Sequence, residues 1–288
     1  MAARLTILGS GSSGNCAHLE TADARLLIDA GLSARQIRQR LLGIGRTPEN
    51  LSGILITHEH VDHVQGLAVL AARLGIPVYC NRLTREAIQL QFRDETFDFR
   101  IFSTGSSFVV GDMEVETFSV PHDASDPVGF LVRTPGGNVG FLTDLGHATR
   151  LAMDRVRPAQ ALVLEANHDV KMLQEDTRRS WSIKQRILSR HGHLSNEAAG
   201  ALAREVASDT LRHVYLGHLS RDCNRPELAL QVVGGALREA GATHVRLEAA
   251  DQAVPCATLE LTVAGPAQPA LPVLEVSACG PAGQPQAG

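Results

Sequence analysis

The densest chemistry in the chain lies in residues 53–66, GILITHEHVDHVQG. An apolar run at 54–56 ends in Thr57 and is followed by His58-x-His60-x-Asp62-His63. Four metal-competent side chains thus fall just past a predicted strand, where a rigid element can aim a loop. His58 and His60 alternate, so in extended geometry both rings point the same way. Asp62 and His63 fall at the turn into a helix, where they can serve a second ion. Nitrogen and oxygen donors without a thiolate suit Zn²⁺, Mn²⁺ or Fe²⁺.

A second pattern opens the chain. LTILGSGSSGNC, residues 5–16, places Gly9, Gly11 and Gly14 in G-x-G-x-x-G spacing, with Asp29 twenty residues after Gly9. Such spacing also marks dinucleotide-binding folds, but those need a crossover helix of at least about a dozen residues. Between Gly14 and Arg25 stands only NCAHLETADA, in which Cys16, His18 and Glu20 alternate with Ala17, Leu19 and Thr21. The alternation predicts a β-meander at 4–8, 16–21 and 25–29. Without a helix N-terminus there is no dipole to hold a pyrophosphate, so no nucleotide cofactor is expected. The glycines either make a tight loop or admit a ligand closely, and Ser10, Ser12 and Asn15 could donate to phosphate oxygens.

H-x-H-x-D-H after a strand resembles the signature of the metallo-β-lactamase fold. FSVPHDASDPVGF then offers His122, VGFLTDLG offers Asp144 and HVYLGHLS offers His218, each after an apolar run and in the family's order. LGSGSSGN, PHDASDPVGF, LEANHD, SIKQRILSRHGHLSN and LGHLSRDCN together resemble the YycJ-like (WalJ) branch of bacterial metal-dependent nucleases, over about residues 4–263. The resemblance implies an α/β fold: a four-layer αβ/βα sandwich, two mixed β-sheets flanked by helices. It implies two divalent ions per chain, Zn²⁺ or Mn²⁺ with Fe²⁺ as a further option. His58, His60 and His122 would hold one ion, Asp62, His63 and His218 the other, and Asp144 would bridge them. Such a pair clamps an in-line displacement at phosphorus and lowers the pKa of bound water toward neutrality. Asp62 would also orient the attacking hydroxide.

By the same resemblance Asp29 supports the histidine ligands rather than binding metal. His193 would contact the scissile phosphate or assist the leaving group by donating a proton. Glu165 would orient one of these histidines or pair with a nearby base. The implied activity is a phosphodiesterase acting on nucleic acid, a 5′-to-3′ DNA exonuclease. Fold alone leaves two alternatives, a thioesterase or lactonase on the same scaffold and a metal-stabilised nucleic-acid-binding module without catalysis.

These residues need strands to aim them and helices to cover the sheets. Helix patterns at 63–74, 83–91, 147–155, 183–190, 196–206 and 225–240 alternate with strand runs, and 32–45 reads as an amphipathic helix buried against a sheet. The stretch 177–196 carries Arg178, Arg179, Lys184, Arg186 and Arg190 with no acid. It is either a solvated face or a track for a nucleic-acid backbone, with Lys184 and Arg186 as the substrate-binding candidates. His18, His147, His168, His191, His213 and His244 are expected to be structural or superficial, His147 and His168 being the candidates for exceptions.

The whole composition bounds the rest. At 288 residues with a net charge of −4 the chain advertises no global positive field, and aromatics at 4% argue against a base-stacking surface. Five scattered cysteines without C-x-x-C spacing read as reduced thiols in a cytoplasmic protein. No signal peptide or membrane span is expected. From residue 264 the composition turns to Pro, Ala and Gly with Glu275 as the only charge, which predicts a hydrolase domain at 1–263 and a flexible tail at 264–288.

Overall fold

Strand runs that are apolar on both faces have to be covered twice, which two stacked sheets with outer helices achieve. The computed structural model describes residues 2–262; the expected tail at 264–288 and Cys279 lie outside them. β1 (Ala2–Gly9), β2 (Cys16–Glu20), β3 (Arg25–Ile28), β4 (Gly53–Leu55), β5 (Val78–Asn81) and β6 (Phe99–Phe102) lie side by side in that order. The second sheet holds β7 (Ser107–Val110), β8 (Met113–Ser119), β9 (Val128–Thr134), β10 (Gly137–Leu142), β11 (Ala161–Glu165), β12 (His213–Gly217) and β13 (Arg246–Ala249). β14 (Leu259–Thr262) returns to pair with β1. Both sheets are mixed: β1–β2–β3 and β7–β8–β9–β10 are antiparallel meanders, whereas β3–β6 and β10–β13 pair in parallel.

Each parallel step is bridged by helix. α1 (Ala34–Gly43) follows β3, α2 (Val61–Val64) follows β4 and continues as a wider π-type turn over Ala68–Arg73, and α3 (Arg82–Gln91) follows β5. In the second half come α4 (Arg150–Val156), α5 (Val170–Glu175), α6 (Trp181–Ile187), α7 (Asn196–Val206) and α8 (Pro226–Glu239). Caps fix the starts: Ser33 and Gln36 form a reciprocal capping box on α1, and Thr149, Ser180 and Ser195 accept backbone N–H groups at α4, α6 and α7. The meander and the helix patterns stand where the sequence placed them, with ends shifted to these caps. α5 was not expected, because six residues are too few to show a period.

Alternation along each strand separates three apolar layers. Leu5, Ile7, Leu19, Leu26 and Ile28 meet Phe130, Val132, Phe141, Val163 and Tyr215 between the sheets. The intervening Leu27, Ile54, Ile56 and Val78 pack under α1, α2 and α3 through Ile37, Leu41, Val64 and Ile88. Leu162, Leu164, Val214 and Leu216 pack under α4, α7 and α8 through Val156, Leu202, Val206 and Val233. This is the αβ/βα sandwich the sequence implied. The four described cysteines are free, and among the described residues no helix is long and apolar enough to cross a membrane.

Two histidines are sealed into the sheets away from the Thr57–His63 loop. Burial pushes His18 and His213 down to about 4. Because the unfolded chain binds protons there first, both stabilise the fold above pH 6.5 and withdraw that stability as pH falls toward 4. In chelator, urea-unfolding free energy should drop over this window by roughly 3 kcal/mol per histidine. The His18→Gln variant should show a shallower slope over the same pH range, and an unchanged slope would refute the assignment.

Candidate metal centre

Strand ends decide where the chemistry sits. Asp29 follows β3, residues 57–63 follow β4, His122 follows β8, Asp144 follows β10, Glu165 ends β11 and His218 follows β12. In open α/β sheets this carboxyl edge is where ligands are bound. Three of these residues, Asp29, Asp144 and His218, hold a left-handed backbone with φ of 61°, 55° and 55°. Such strain costs of order 1–3 kcal/mol each and persists where the surroundings over-determine it. Here it turns each side chain sharply off its strand toward a common centre.

Two donor groups converge. His58 Nε2 lies 3.0 Å and His122 Nε2 3.3 Å from His60 Nδ1. The far nitrogens are engaged elsewhere, His58 Nδ1 by Thr57 Oγ1 at 3.0 Å and His122 Nδ1 by the Gly192 carbonyl at 3.0 Å. That fixes the tautomers so that lone pairs face inward. The edge of a tetrahedron about Zn²⁺ with nitrogen ligands is about 3.3–3.4 Å, so the three nitrogens stand close to ligand spacing. In the second group His218 Nε2 is 3.2 Å from Asp62 Oδ2, and His63 Nε2 is 3.8 Å from the same oxygen.

Asp144 lies between the groups. Its Oδ1 is 3.4 Å from His218 Nε2 and 3.8 Å from His122 Nε2, and its Oδ2 is 3.1 Å from His63 Nε2. Oδ2 is buried and makes no hydrogen bond. Burial opposes its charge, but the His218 and His63 rings hold the carboxyl well below its ordinary value. His63 gives its Nδ1 proton to Asp29 at 2.8 Å, so a second proton or a cation has to stand between Nε2 and Asp144. A buried anion with an orphaned oxygen, ringed by inward nitrogens, fits divalent metal.

The supporting contacts are equally specific. Asp29 accepts from the Thr57 N–H at 2.9 Å and the Thr57 hydroxyl at 3.0 Å as well as from His63. Gly31 lies where a Cβ would come within 1.6 Å of the Asp62 carbonyl, so only glycine lets the His-rich loop pack there. Glu165 is fully buried and accepts from His193 Nδ1 at 2.6 Å and from the Leu145 and Leu194 N–H groups. Burial raises the Glu165 carboxyl, yet His193 outweighs it and brings the group down to about 2. Burial disfavours a charged His193, and Glu165 more than reverses that, raising the ring above its ordinary value.

Not every candidate faces the cavity. The cavity has a volume of about 200 Å³ and is lined by Ser12, Arg186 and His193 along with His60, Asp62, His122, Asp144 and His218. Ser10 instead donates to Asn15 Oδ1 and accepts the His218 N–H, and Asn15 binds Gly11 and approaches His63 Nε2 at 3.2 Å. Both are buried braces of the glycine loop and stand outside the lining of this cavity. Lys184 is buried, with Nζ donating to the Gln174 carbonyl at the end of α5, and it too stands outside the cavity lining. The basic stretch is largely neutralised from outside its own sequence. Arg178 and Arg179 pair with Asp176 and Asp222, and Arg186 pairs with Asp123. Arg190 is exposed beside His147, while both His168 nitrogens are buried without partners. Sequence reasoning missed Thr57, Asp123 and Asn167. Each adjoins a residue it did flag, and Asn167 donates to the His218 carbonyl at 2.9 Å with its amide 3.1 Å from His218 Nδ1.

A family model described as the beta-lactamase superfamily domain matches residues 24–219. The chain belongs to the beta-lactamase superfamily. Within that superfamily it is 40% identical over 242 residues to exodeoxyribonuclease YycJ of Bacillus anthracis, covering 84% of this chain and 91% of the relative. It is also 40% identical over 241 residues to exodeoxyribonuclease WalJ of Streptococcus pneumoniae, covering 82% and 89%. The fold resembles the crystal structure of the metallo-beta-lactamase fold protein YhfI from Bacillus subtilis, with a TM-score of 0.68 at 16% identity over 90% of this chain and 99% of that one.

The Asp29 carboxylate should matter for metal although it is no donor to the cluster. Asp29→Asn removes the charge that orients His63 and should weaken metal binding by roughly 10–100-fold. Calorimetric titration of apoprotein with Zn²⁺ or Mn²⁺ checks this, and wild-type affinity would exclude the role.

Proposed function

We propose that the protein is a metal-dependent nuclease, a DNA exonuclease that removes nucleotides from the 5′ end. The observation that carries it is the convergence of His58, His60 and His122 on one side of Asp144 and Asp62, His63 and His218 on the other. Relatives at 40% identity over most of the chain carry the name exodeoxyribonuclease, which supports the choice of nucleic acid over a thioester or lactone. Two divalent ions, Zn²⁺, Mn²⁺ or Fe²⁺, would supply activation of water and neutralisation of phosphoryl charge when bound.

The chain's own residues divide the remaining work. The three histidines after β4 and β8 would hold one ion and the trio Asp62, His63 and His218 the other, with Asp144 between them. Asp62, partly exposed at the cavity wall, would accept a proton from the attacking water. His193 uses Nδ1 on Glu165, which leaves Nε2 to carry a proton for the departing oxygen. The Glu165 carboxylate raises the pKa of that ring, which favours its protonated form. Ser12 on the glycine loop and Arg186 on α6 flank the same space as phosphate partners.

Duplex DNA labelled at either end, incubated with Mn²⁺ or Zn²⁺, tests the reading. Wild type should release label from the 5′ end, and Asp144→Ala should release none. His193→Ala should retain its metal while losing about 10²–10⁴-fold in kcat. A protein that binds two ions and cleaves neither DNA nor bis-(p-nitrophenyl) phosphate would overturn the proposal, and turnover of a thioester instead would redirect it.

A further inference from the structure

Ile183 and Ile187 stand one turn apart on α6 and line the same cavity as His60, His122, Asp144, His193 and His218. Apart from Gly192, every other residue lining that cavity is polar or charged. Ile183 is 48% exposed, and neither isoleucine belongs to any of the three apolar layers. Folding therefore gives no account of why two β-branched apolar side chains border a cluster of carboxylates and imidazoles.

The helix that presents them is fixed from its other side. Ser180 caps α6, and the buried Lys184, between the two isoleucines in sequence, ties its inner face to the Gln174 carbonyl. Arg186, on the cavity side, reaches across to Asp123 next to His122. A rigid element thus holds an apolar wall on one side of the cavity and a guanidinium at its rim, facing the place where a phosphate would meet the ligand cluster.

We infer that Ile183 and Ile187 form a nucleoside subsite, packing against the base or sugar attached to the phosphate at the cluster; this rests on the nuclease reading above. A substrate phosphodiester is charged at one end and offers a flat apolar face at the other, and the cavity has both complements. Every base has such a face, so the wall favours a nucleotide over a bare phosphodiester without choosing among sequences. Aliphatic side chains take the part that aromatics play elsewhere, in a chain with 4% aromatic residues.

Trp181, the chain's single tryptophan, is exposed at the start of α6 and reports on that helix. Binding of a labelled single-stranded oligonucleotide to the chelated protein is followed by anisotropy, with Trp181 emission recorded in parallel. The Ile183→Ser/Ile187→Ser double variant should bind about tenfold more weakly. With metal restored, its kcat/KM for the oligonucleotide should fall by about the same factor relative to that for methyl p-nitrophenyl phosphate, which carries no base. Ile183→Ala should show a smaller shift in the same direction. Val109→Ser, on a more exposed apolar residue of β7 outside the cavity, should match wild type in both measurements. Wild-type affinity and an unchanged ratio in the double variant would overturn the subsite while leaving the nuclease reading intact. An equal loss on both substrates would overturn it too, assigning the isoleucines to support of the cluster. A wild type that binds ions but cleaves neither substrate overturns the nuclease reading and the subsite with it.

Discussion

A buried carboxylate with an oxygen that no hydrogen bond satisfies has to be matched by positive charge, and Asp144 is that group. Four histidines and Asp62 crowd around it, and the carboxyl itself is buried, where an uncompensated charge is costly. The arrangement makes physical sense as a cage for cations. The surrounding structure is organised to stop the cage from relaxing: Asp29 clamps Thr57 and His63, Gly192 holds His122, Asn167 holds His218 and Glu165 holds His193. Hydrogen bonds to charged groups contribute about 1.5–3 kcal/mol each. The clamp on the loop after β4 therefore rivals the cost of the left-handed backbone at Asp29.

The sandwich supplies the rigidity that such a site requires. Every ligand candidate follows the carboxyl end of a strand or begins a helix that follows one, and the strands are buried on both faces. The two halves contribute differently. The first sheet brings a contiguous cluster on one loop after β4, whereas the second brings single residues from three separate strand ends. The glycine loop joins the halves, since Ser10 receives the His218 N–H across 208 residues of sequence.

Charge on α6 and on the turn before it is largely taken up by carboxylates, some local and some brought by the fold. Five cations in a run look like a path for a polyanion, yet acids from the loops around Asp123, Asp176 and Asp222 take up Arg178, Arg179 and Arg186, and Lys184 turns inward. What the helix offers the cavity is mainly apolar, with one guanidinium beside it. A net charge of −4 and the pairing of Arg178, Arg179 and Arg186 with carboxylates leave this stretch little free positive charge for a polyanion.

Periodicity and residue type were enough to reveal much of the molecule. Period-two alternation gave the meander, period-3.6 patterns gave the helices over 32–45, 83–91, 196–206 and 225–240, and H-x-H-x-D-H gave the metal chemistry. These signals are local, and local sequence carries them whole. The further ligand candidates, His122, Asp144 and His218, were legible only through resemblance to a family, because each is a single residue after an apolar run. Tertiary structure alone decided which polar groups face the cavity. Ser10, Asn15 and Lys184 look like substrate contacts in the sequence, but each finds a buried partner in the fold. A side chain's hydrogen-bonding partner is set by three-dimensional proximity, and nothing in a run of residues records which distant backbone carbonyl or carboxylate will arrive beside it.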